Sequence, residues 1–155
     1  MRIALFPGTF DPITLGHVDI INRSLDLFDK IVIGIGTNVN KTPMFSAERR
    51  VEWIEEIYKD EPRVSAAIYE GLTVSFCQQV NAKYIVRGIR FVSDFEYEKT
   101  IADMNRSLDH SIETIFLTCL PEYSSVASTL VRDVIRNNGD ASAFLPDVVQ
   151  RDLKK

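Results

Sequence analysis

Short apolar runs alternate with amphipathic stretches along the whole chain. Runs rich in β-branched and aliphatic residues predict five strands: Arg2–Phe6, Ile31–Gly36, Arg63–Ile68, Tyr84–Val86 and Thr114–Thr118. Continuous apolar runs of this kind are typical of parallel strands that are buried on both faces. Stretches with helical periodicity predict six helices: Gly16–Phe28, Ser46–Tyr58, Thr73–Val80, Ser93–Arg106, Ser128–Arg136 and Asp147–Leu153. The alternation predicts an α/β fold with a doubly wound, five-stranded parallel sheet.

Several predicted helices carry recognisable signals at their ends. Thr14 is suited to cap the first helix, and Ser93 with Glu96 forms a capping-box pattern at the start of the fourth. Asn138-Gly139 is typical of the end of the fifth. The 155 residues contain no low-complexity linker and no internal repeat. We therefore expect residues 1–155 to form a single Rossmann-like domain.

Composition narrows the class of protein. Hydrophobic residues make up 45% of the chain, charged residues 26%, and the net charge is −4 at pH 7. The negative charge disfavours nucleic acid and anionic membranes as partners. No apolar run approaches the roughly 18 residues of a membrane helix, and Pro7-Gly8 interrupts the first apolar stretch too early for a signal peptide. Cys77 and Cys119 lack metal-ligand spacing, so we expect reduced thiols in a cytoplasmic protein.

Candidate binding residues follow every predicted strand. They are Gly8-Thr9, Thr37–Lys41, Gly71–Thr73, Arg87–Arg90 and Pro121–Thr129. Doubly wound sheets bind ligands at the carboxyl ends of their strands, near the point where the strand order switches. Five segments that converge on this edge indicate a ligand site more strongly than any one motif.

Residues 8–17, GTFDPITLGH, place a glycine turn and a histidine between the first strand and the first helix. Gly8 lets the backbone approach a ligand closely, and Thr9 can donate hydrogen bonds to a phosphate. His17 lies in the first helical turn, where free N–H groups and the helix dipole favour an anion. A helix-capping role would explain His17 alone equally well, whereas the whole string favours phosphate chemistry. The P-loop and dinucleotide-binding glycine patterns are absent.

Further cations and hydroxyls lie at the same predicted edge. Lys41, in a loop after the second strand, can reach a phosphate, although a solvated loop lysine is the simpler interpretation. Arg87 and Arg90 flank a glycine in a predicted strand-to-helix turn and suit paired hydrogen bonds to phosphate. Alternatively, they form surface ion pairs with the acidic residues of segment 94–98. The hydroxyl-rich segment 123–129 opens a helix and can hold nucleotide phosphates, unless Ser128 merely caps that helix.

GTFDP followed by Thr14-Leu15-Gly16-His17 resembles the nucleotidyltransferase superfamily with the (H/T)xGH signature. Other motifs extend the resemblance over nearly the whole chain, to the bacterial type of phosphopantetheine adenylyltransferase. They are NxxKxPMF at 38–45, RGIR at 87–90 with DFEYE at 94–98, MNR at 104–106, STLVR at 128–132, Gly139-Asp140 and FLP at 144–146. Ala127 and Thr129 depart from the family's serine-rich segment, and Ala127 offers one fewer hydroxyl for a phosphate.

The resemblance implies transfer of the adenylyl group of ATP to 4′-phosphopantetheine. The products are 3′-dephospho-coenzyme A and pyrophosphate, in the penultimate step of coenzyme A biosynthesis. Because the acceptor phosphate is already anionic, we expect in-line attack on the α-phosphorus without a general base or covalent intermediate. Mg²⁺ is expected to arrive with ATP rather than at a dedicated carboxylate cluster. The resemblance also implies a homohexamer.

Roles for individual residues follow from the same resemblance. His17, Lys41 and Arg90 are expected to be catalytic, with His17 donating to the α-phosphate. Acceptor binding is expected from Thr9, Lys41, Thr73 and Arg87. The expected ATP-binding residues are Thr9, Phe10, His17, Gly88, Ile89, Arg90, Glu98, Tyr123, Ser124, Ser125, Val126, Ala127, Ser128 and Thr129.

Other functions remain open at this point. A sibling enzyme could adenylylate nicotinate mononucleotide or cytidylylate a phospho-alcohol, but such enzymes should lack the RGIR–DFEYE pairing. A class I aminoacyl-tRNA synthetase fragment is disfavoured by size, charge and the absence of a KMSKS-like lysine pair. A non-catalytic nucleotide-binding module would not need His17, Lys41 and Arg90 together. A purely structural protein leaves the five strand-end segments unexplained.

Overall fold

A computed structural model describes residues 1–155 as one α/β domain around a five-stranded sheet. The strands are β1 (Ile3–Gly8), β2 (Lys30–Gly36), β3 (Val64–Tyr69), β4 (Tyr84–Ile89) and β5 (Glu113–Thr118). All neighbouring strands pair in parallel, in the order β3-β2-β1-β4-β5. The helices are α1 (Leu15–Ser24), α2 (Ala47–Ile57), α3 (Thr73–Gln79), α4 (Val92–Leu108), α5 (Ser128–Arg136) and α6 (Asp147–Leu153). The predicted fold class is confirmed.

Alternation of side chains along the strands divides the core into two layers. Phe6 and Ile33 point to one face, where they pack with residues of α1, α2, α5 and α6. Leu5 and Val32 point to the other, against residues of α3. The sheet is therefore covered on both faces, as a buried parallel sheet requires. None of the helices is both long and apolar enough to cross a membrane.

The strand order switches between β1 and β4, and this switch determines where a ligand-binding crevice forms. From β1 the chain proceeds outward to β2 and β3, then returns to β4 on the other side of β1. The carboxyl ends of β1 and β4 therefore diverge into loops that leave a crevice between them. Gly8 ends β1 and Ile89 ends β4, so the first-strand glycine turn and the RGIR motif meet at this crevice.

Two predicted ends of elements differ from the structure by three residues or more. The first helix ends at Ser24 rather than Phe28, because a turn there brings Asp29 onto Arg2, where it pairs through both backbone and side chain. Strand β4 continues to Ile89, so Arg87 belongs to the strand rather than to a turn. Strand β4 pairs with β5 over its whole length, from Tyr84 to Ile89.

The capping box predicted at Ser93 and Glu96 is wrong. Helix α4 begins one residue earlier, at Val92, with Phe91 in the cap position. The Asp94 carboxylate accepts the backbone N–H groups of Arg90 at 3.0 Å and Phe91 at 3.3 Å. A carboxylate that reaches back to the cap satisfies free N–H groups of the first turn, so Asp94 is the residue that fixes this helix start.

We predict that Gly34→Ala destabilises the fold by about 1–3 kcal/mol through overpacking. A Cβ at Gly34 would lie 2.9 Å from Leu5 Cδ1 and 3.0 Å from Tyr69 Cε1. Gly36 in the same strand is the matched control, since its Cβ would meet no atom nearer than 3.4 Å. Urea unfolding should therefore show a larger loss for Gly34→Ala than for Gly36→Ala. Equal losses would contradict the packing argument.

Candidate active site

Two adjoining cavities open at the carboxyl edge of the sheet. One, of about 370 Å³, lies against α1, β4 and α5 and contains His17, Gly88, Arg90 and Ser128. The other, of about 310 Å³, lies against β3, α3 and α4 and contains Thr73, Asn105 and Ala102. We call them the first and the second cavity. Gly8, Thr9, Lys41, Arg87 and Glu98 line both, which is the arrangement that two substrates reacting with each other require.

The structure brings most of the predicted site residues to these cavities. The first cavity is lined by Thr9, Phe10, His17, Lys41, Arg87, Gly88, Arg90, Glu98, Tyr123, Val126, Ala127, Ser128 and Thr129. Thr73 lines the second cavity only. Ile89, Ser124 and Ser125 line neither cavity.

His17 is held at the start of α1 by Thr14. The Thr14 backbone N–H donates to His17 Nδ1 at 3.0 Å, and the His17 N–H donates to Thr14 Oγ1 at 3.4 Å. This is a capping box in which an imidazole takes the place of the usual Glu or Gln. Because Nδ1 accepts, the proton of the neutral ring lies on Nε2. The capping and the functional interpretations of His17 are therefore compatible.

Burial, together with the positive charges of Arg87 and Arg90, lowers the pKa of His17 to about 4. The imidazole packs against the ring of Phe10 with a centroid distance of 4.8 Å, and Phe10 is itself only 2% exposed. Phe10 thus forms a wall behind His17. The result is a neutral, immobilised donor inside a positively charged cavity.

Arg87 is fixed by two neighbours. Its Nε and Nη2 donate to the two carboxylate oxygens of Glu98 at 2.8 and 2.6 Å, and its Nη1 donates to the carbonyl of Pro7. Glu98 is 7% exposed and lies six residues, or nearly two helix turns, beyond the start of α4. The paired geometry is the strong form of an arginine–carboxylate contact. It holds the guanidinium where β1, β4 and α4 meet, with part of its donor set free.

Arg90 lies beyond the end of β4 and pairs with Asp94, with Nε 3.3 Å from Oδ2. Arg87 and Arg90 therefore do pair with acidic residues of segment 94–98, as expected if the arginines formed only surface ion pairs. However, both pairs line the first cavity rather than a solvated face. Each carboxylate orients its arginine and also cancels part of its charge.

Lys41 provides charge without a partner. It is exposed on the loop between β2 and α2, lines both cavities, and takes part in no ion pair. Its backbone N–H donates to the Asn38 carbonyl at 3.0 Å, which closes a turn within the loop. A free ammonium group on this loop is available to an anion in either cavity.

The start of α5 is an anion-compatible surface in the first cavity. No side chain caps the helix, because Ala127 occupies the cap position and has no side-chain acceptor. The hydroxyl of Ser128, the first helical residue, donates to the Pro12 carbonyl at 2.8 Å. The first-turn N–H groups of α5 therefore lack a side-chain acceptor and can receive one from a phosphate. Ala127 has no hydroxyl to offer a ligand, but for the same reason it leaves the first-turn N–H groups of α5 free to bind one. Ser128 ties the helix to the GTFDP segment rather than capping it.

Sequence reasoning missed three residues that organise the site. Arg132, one turn into α5, lines the first cavity and donates to the Asp11 carbonyl at 2.8 Å. Asp11 and Arg50 are buried and link the GTFDP segment to the Lys41 loop. The spacing of four residues between Ser128 and Arg132 placed that arginine on the cavity side of α5. No sequence pattern pointed to the contacts of Asp11 or Arg50.

Comparisons with known proteins agree with the motifs at this site. The cytidylyltransferase-like family model matches residues 5–134. A phosphopantetheine adenylyltransferase from Flavobacterium psychrophilum is 54% identical over 150 residues, covering 97% of this chain and 99% of the relative. One from Bacteroides fragilis is 54% identical over 146 residues, covering 94% and 97%. One from Caldanaerobacter subterraneus subsp. tengcongensis is 44% identical over 153 residues, covering 99% and 96%.

We predict that His17 titrates near pH 4 in the ligand-free protein, with its neutral ring protonated at Nε2. Since an unfolded histidine titrates near 6.5, the unfolded chain binds the proton more tightly. His17 should therefore make the fold less stable as the pH falls from about 6.5 to about 4. Ring-nitrogen NMR on a His110→Gln variant, in which His17 is the sole histidine, measures both the midpoint and the tautomer. A midpoint near 6.5 would contradict the burial argument.

Proposed function

This chain belongs to the phosphopantetheine adenylyltransferases of the cytidylyltransferase-like family, and on that premise we propose that it transfers the adenylyl group of ATP to 4′-phosphopantetheine. The products are 3′-dephospho-coenzyme A and pyrophosphate. The observation that carries the proposal is the junction of the two cavities at Thr9, Lys41 and Arg87. One nucleotide and one phosphate-bearing acceptor can meet there.

The first cavity is proposed to hold ATP. Its donors suit a triphosphate: the uncapped start of α5, Arg90, and Arg132 lie around one space with His17. The backbone at Gly88 lies close to α1, since a Cβ there would be 3.2 Å from Ile20, and a larger residue would narrow the cavity. Glu98, another expected ATP-binding residue, is proposed to act indirectly by holding Arg87 in place.

The second cavity is proposed to hold the acceptor. Ile85, Ile101 and Ala102 give part of its wall an apolar surface that suits a pantetheine arm. Thr73 lies at its edge, where its hydroxyl is 3.0 Å from that of Tyr69. Arg87, between the cavities, is placed to hold the acceptor phosphate at the reacting end.

The chemical step is proposed to be a direct displacement. A phosphate oxygen of the acceptor bonds to the α-phosphorus of ATP as the bond to the bridging oxygen of pyrophosphate breaks. The reaction needs alignment and fixed positive charge rather than a base. Lys41 and Thr9 are proposed to bridge the two phosphates, and Arg90 to share the charge. His17 donates from Nε2 to an α-phosphate oxygen, and its low pKa keeps it neutral at physiological pH.

Mg²⁺ is proposed to enter as the ATP complex. No group of three His, Cys, Asp or Glu side chains in the chain could hold a metal ion by itself. The carboxylates nearest to the cavities are already bound, Glu98 by Arg87 and Asp94 by Arg90. Magnesium on the ATP phosphates would reduce repulsion between the two anionic substrates.

We also propose a cytoplasmic homohexamer, as the family resemblance implies. Several large apolar side chains lie exposed on and beside α4: Phe91, Val92, Phe95, Met104 and Leu108. An exposed apolar surface of this kind is typical of a protein–protein interface. Sedimentation velocity or light scattering of the purified protein would give its mass, and a monomer would refute this assembly.

The assignment is tested by measuring pyrophosphate release with Mg-ATP and either 4′-phosphopantetheine or nicotinate mononucleotide as acceptor. We expect release only with 4′-phosphopantetheine. Release only with the other acceptor would keep the reaction class but refute the substrate. ATP binding without release in either case would favour a non-catalytic nucleotide-binding module.

His17→Ala should lower kcat about 10²-fold or more while ATP binding changes little, because one transition-state donor contributes about 3 kcal/mol. Steady-state kinetics and calorimetry of ATP binding measure the two effects separately. His110→Ala, a change at an exposed histidine outside the cavities, is the control. Near-wild-type turnover of His17→Ala would refute the catalytic role.

Lys41→Ala should impair turnover or acceptor binding more than stability, because the side chain is exposed and forms no ion pair in the free protein. The kinetic constants for 4′-phosphopantetheine and the thermal midpoint are measured on the same preparation. Lys59→Ala removes another exposed lysine, away from both cavities, and controls for the loss of one charge. An unchanged kinetic profile would return Lys41 to the role of a solvated loop lysine.

A further inference from the structure

We propose that Asp11 is a positioning residue that sets the Lys41 loop against the phosphate-binding turn, and so acts on the reaction through Lys41. The inference rests on the proposed function, because Lys41 is assigned there to the reacting phosphates. Asp11 lines neither the first nor the second cavity. It lines a third cavity of about 410 Å³, beside Thr9 and Lys41, but backbone N–H groups of the loop engage both of its carboxylate oxygens, so we assign it a positioning role rather than a substrate contact.

The Asp11 carboxylate is committed to the Lys41 loop. It is 4% exposed, and its two oxygens accept the backbone N–H groups of Met44 and Phe45, each at 2.9 Å. A buried carboxylate that accepts two backbone donors forms short, charge-assisted hydrogen bonds. Asp11 thus fixes the loop only three residues beyond Lys41.

A second buried charge, the Arg50 guanidinium, joins the same two segments. It donates to backbone carbonyls, whereas the Asp11 carboxylate accepts from backbone N–H groups. Arg50, which is 3% exposed, donates from Nη1 to the Thr9 carbonyl at 2.6 Å and from Nε to the Phe45 carbonyl at 3.0 Å. Asp11 therefore reaches from the turn to the loop, and Arg50 binds the turn and the loop together from α2. These contacts set the turn that carries Thr9 against the loop that carries Lys41, and both residues line both cavities.

Lys41 depends on these contacts because no side-chain partner in the free protein orients it. The preceding end of its loop is fixed by Thr37, whose N–H donates to the Tyr69 carbonyl at 3.0 Å. The following end is fixed by Asp11. Releasing that end would let the ammonium group move away from the reacting phosphates, and small displacements of aligned groups are costly in rate.

Arg132 offers the main competing explanation for an effect of Asp11. Its guanidinium Nη1 is 4.0 Å from Asp11 Oδ2 and donates to the Asp11 carbonyl. An Asp11 substitution could therefore disturb ATP binding instead of the Lys41 loop. The two explanations differ in the substrate whose KM changes.

The test is a double-mutant cycle of Asp11→Asn and Lys41→Ala. The amide of Asn would present a donor to one of the two loop N–H groups, which removes one hydrogen bond and the negative charge. Asp11→Asn should lower kcat/KM for 4′-phosphopantetheine by about 10- to 100-fold with little change in the KM for ATP. In the Lys41→Ala background the same substitution should cost less than about threefold, because coupled residues are not additive.

Asp152→Asn is the matched control. That carboxylate also bridges two elements, accepting from Trp53 Nε1 at 2.8 Å and Arg49 Nε at 2.9 Å, and it lines neither cavity. It should lower the thermal midpoint without changing kcat/KM. Multiplicative effects of Asp11→Asn and Lys41→Ala, a change confined to the KM for ATP, or wild-type kinetics of Lys41→Ala would each overturn the proposal.

Hydrogen exchange separates this proposal from the function on which it rests. In Asp11→Asn, the Met44 and Phe45 amides should exchange faster than in the wild type, while those of the central strands stay protected. Unchanged exchange at these two amides would overturn the proposal whether or not the protein releases pyrophosphate. If Asp11→Asn does not fold, Arg50→Lys serves in the same cycle. It keeps the charge but loses the two-carbonyl bridge, and it should show the same dependence on Lys41.

Discussion

Holding positive charge in place at the edge of a parallel sheet is the constraint on which this site depends. A cation in the cavities can be fixed by a carboxylate partner or by the backbone that carries it, and a carboxylate partner weakens its charge. Arg87 and Arg90 are the fixed, partly neutralised cations, with Glu98 and Asp94 as partners. Lys41 keeps its full charge because its position comes from its loop. The site thus combines orientation from paired arginines with unpaired charge from a lysine.

The same logic explains why the histidine is neutral. A cationic imidazole would add charge, but its protonation would be opposed by burial and by the neighbouring arginines, which together give a pKa of about 4. The Thr14 N–H occupies Nδ1 and leaves Nε2 as the single donor. The α-phosphate oxygen is anionic throughout the reaction, and only the amount of charge on it changes in the transition state. A neutral donor of fixed direction suits such an oxygen.

Strand alternation places Arg87 and Gly88 of the RGIR motif on opposite faces of β4. Arg87 points to the same face of β4 as Ile85, toward α4, whereas Gly88 faces α1 together with Val86. Because β4 extends to Ile89, Arg87 is held by strand geometry as well as by Glu98. A turn at this point, as the apolar run alone suggested, would have left the arginine dependent on a flexible loop.

The sequence by itself determined the α/β class, the parallel sheet and the edge that carries the site, because apolar periodicity reports which faces of an element are buried. Local motifs also determined the Thr14 cap and the candidacy of His17. Only the tertiary structure decided the length of β4, the start of α4 at Val92, and the partners of Asp11, Arg50 and Glu98. Those contacts join segments distant along the chain, and their energies come from buried charge that no local pattern records.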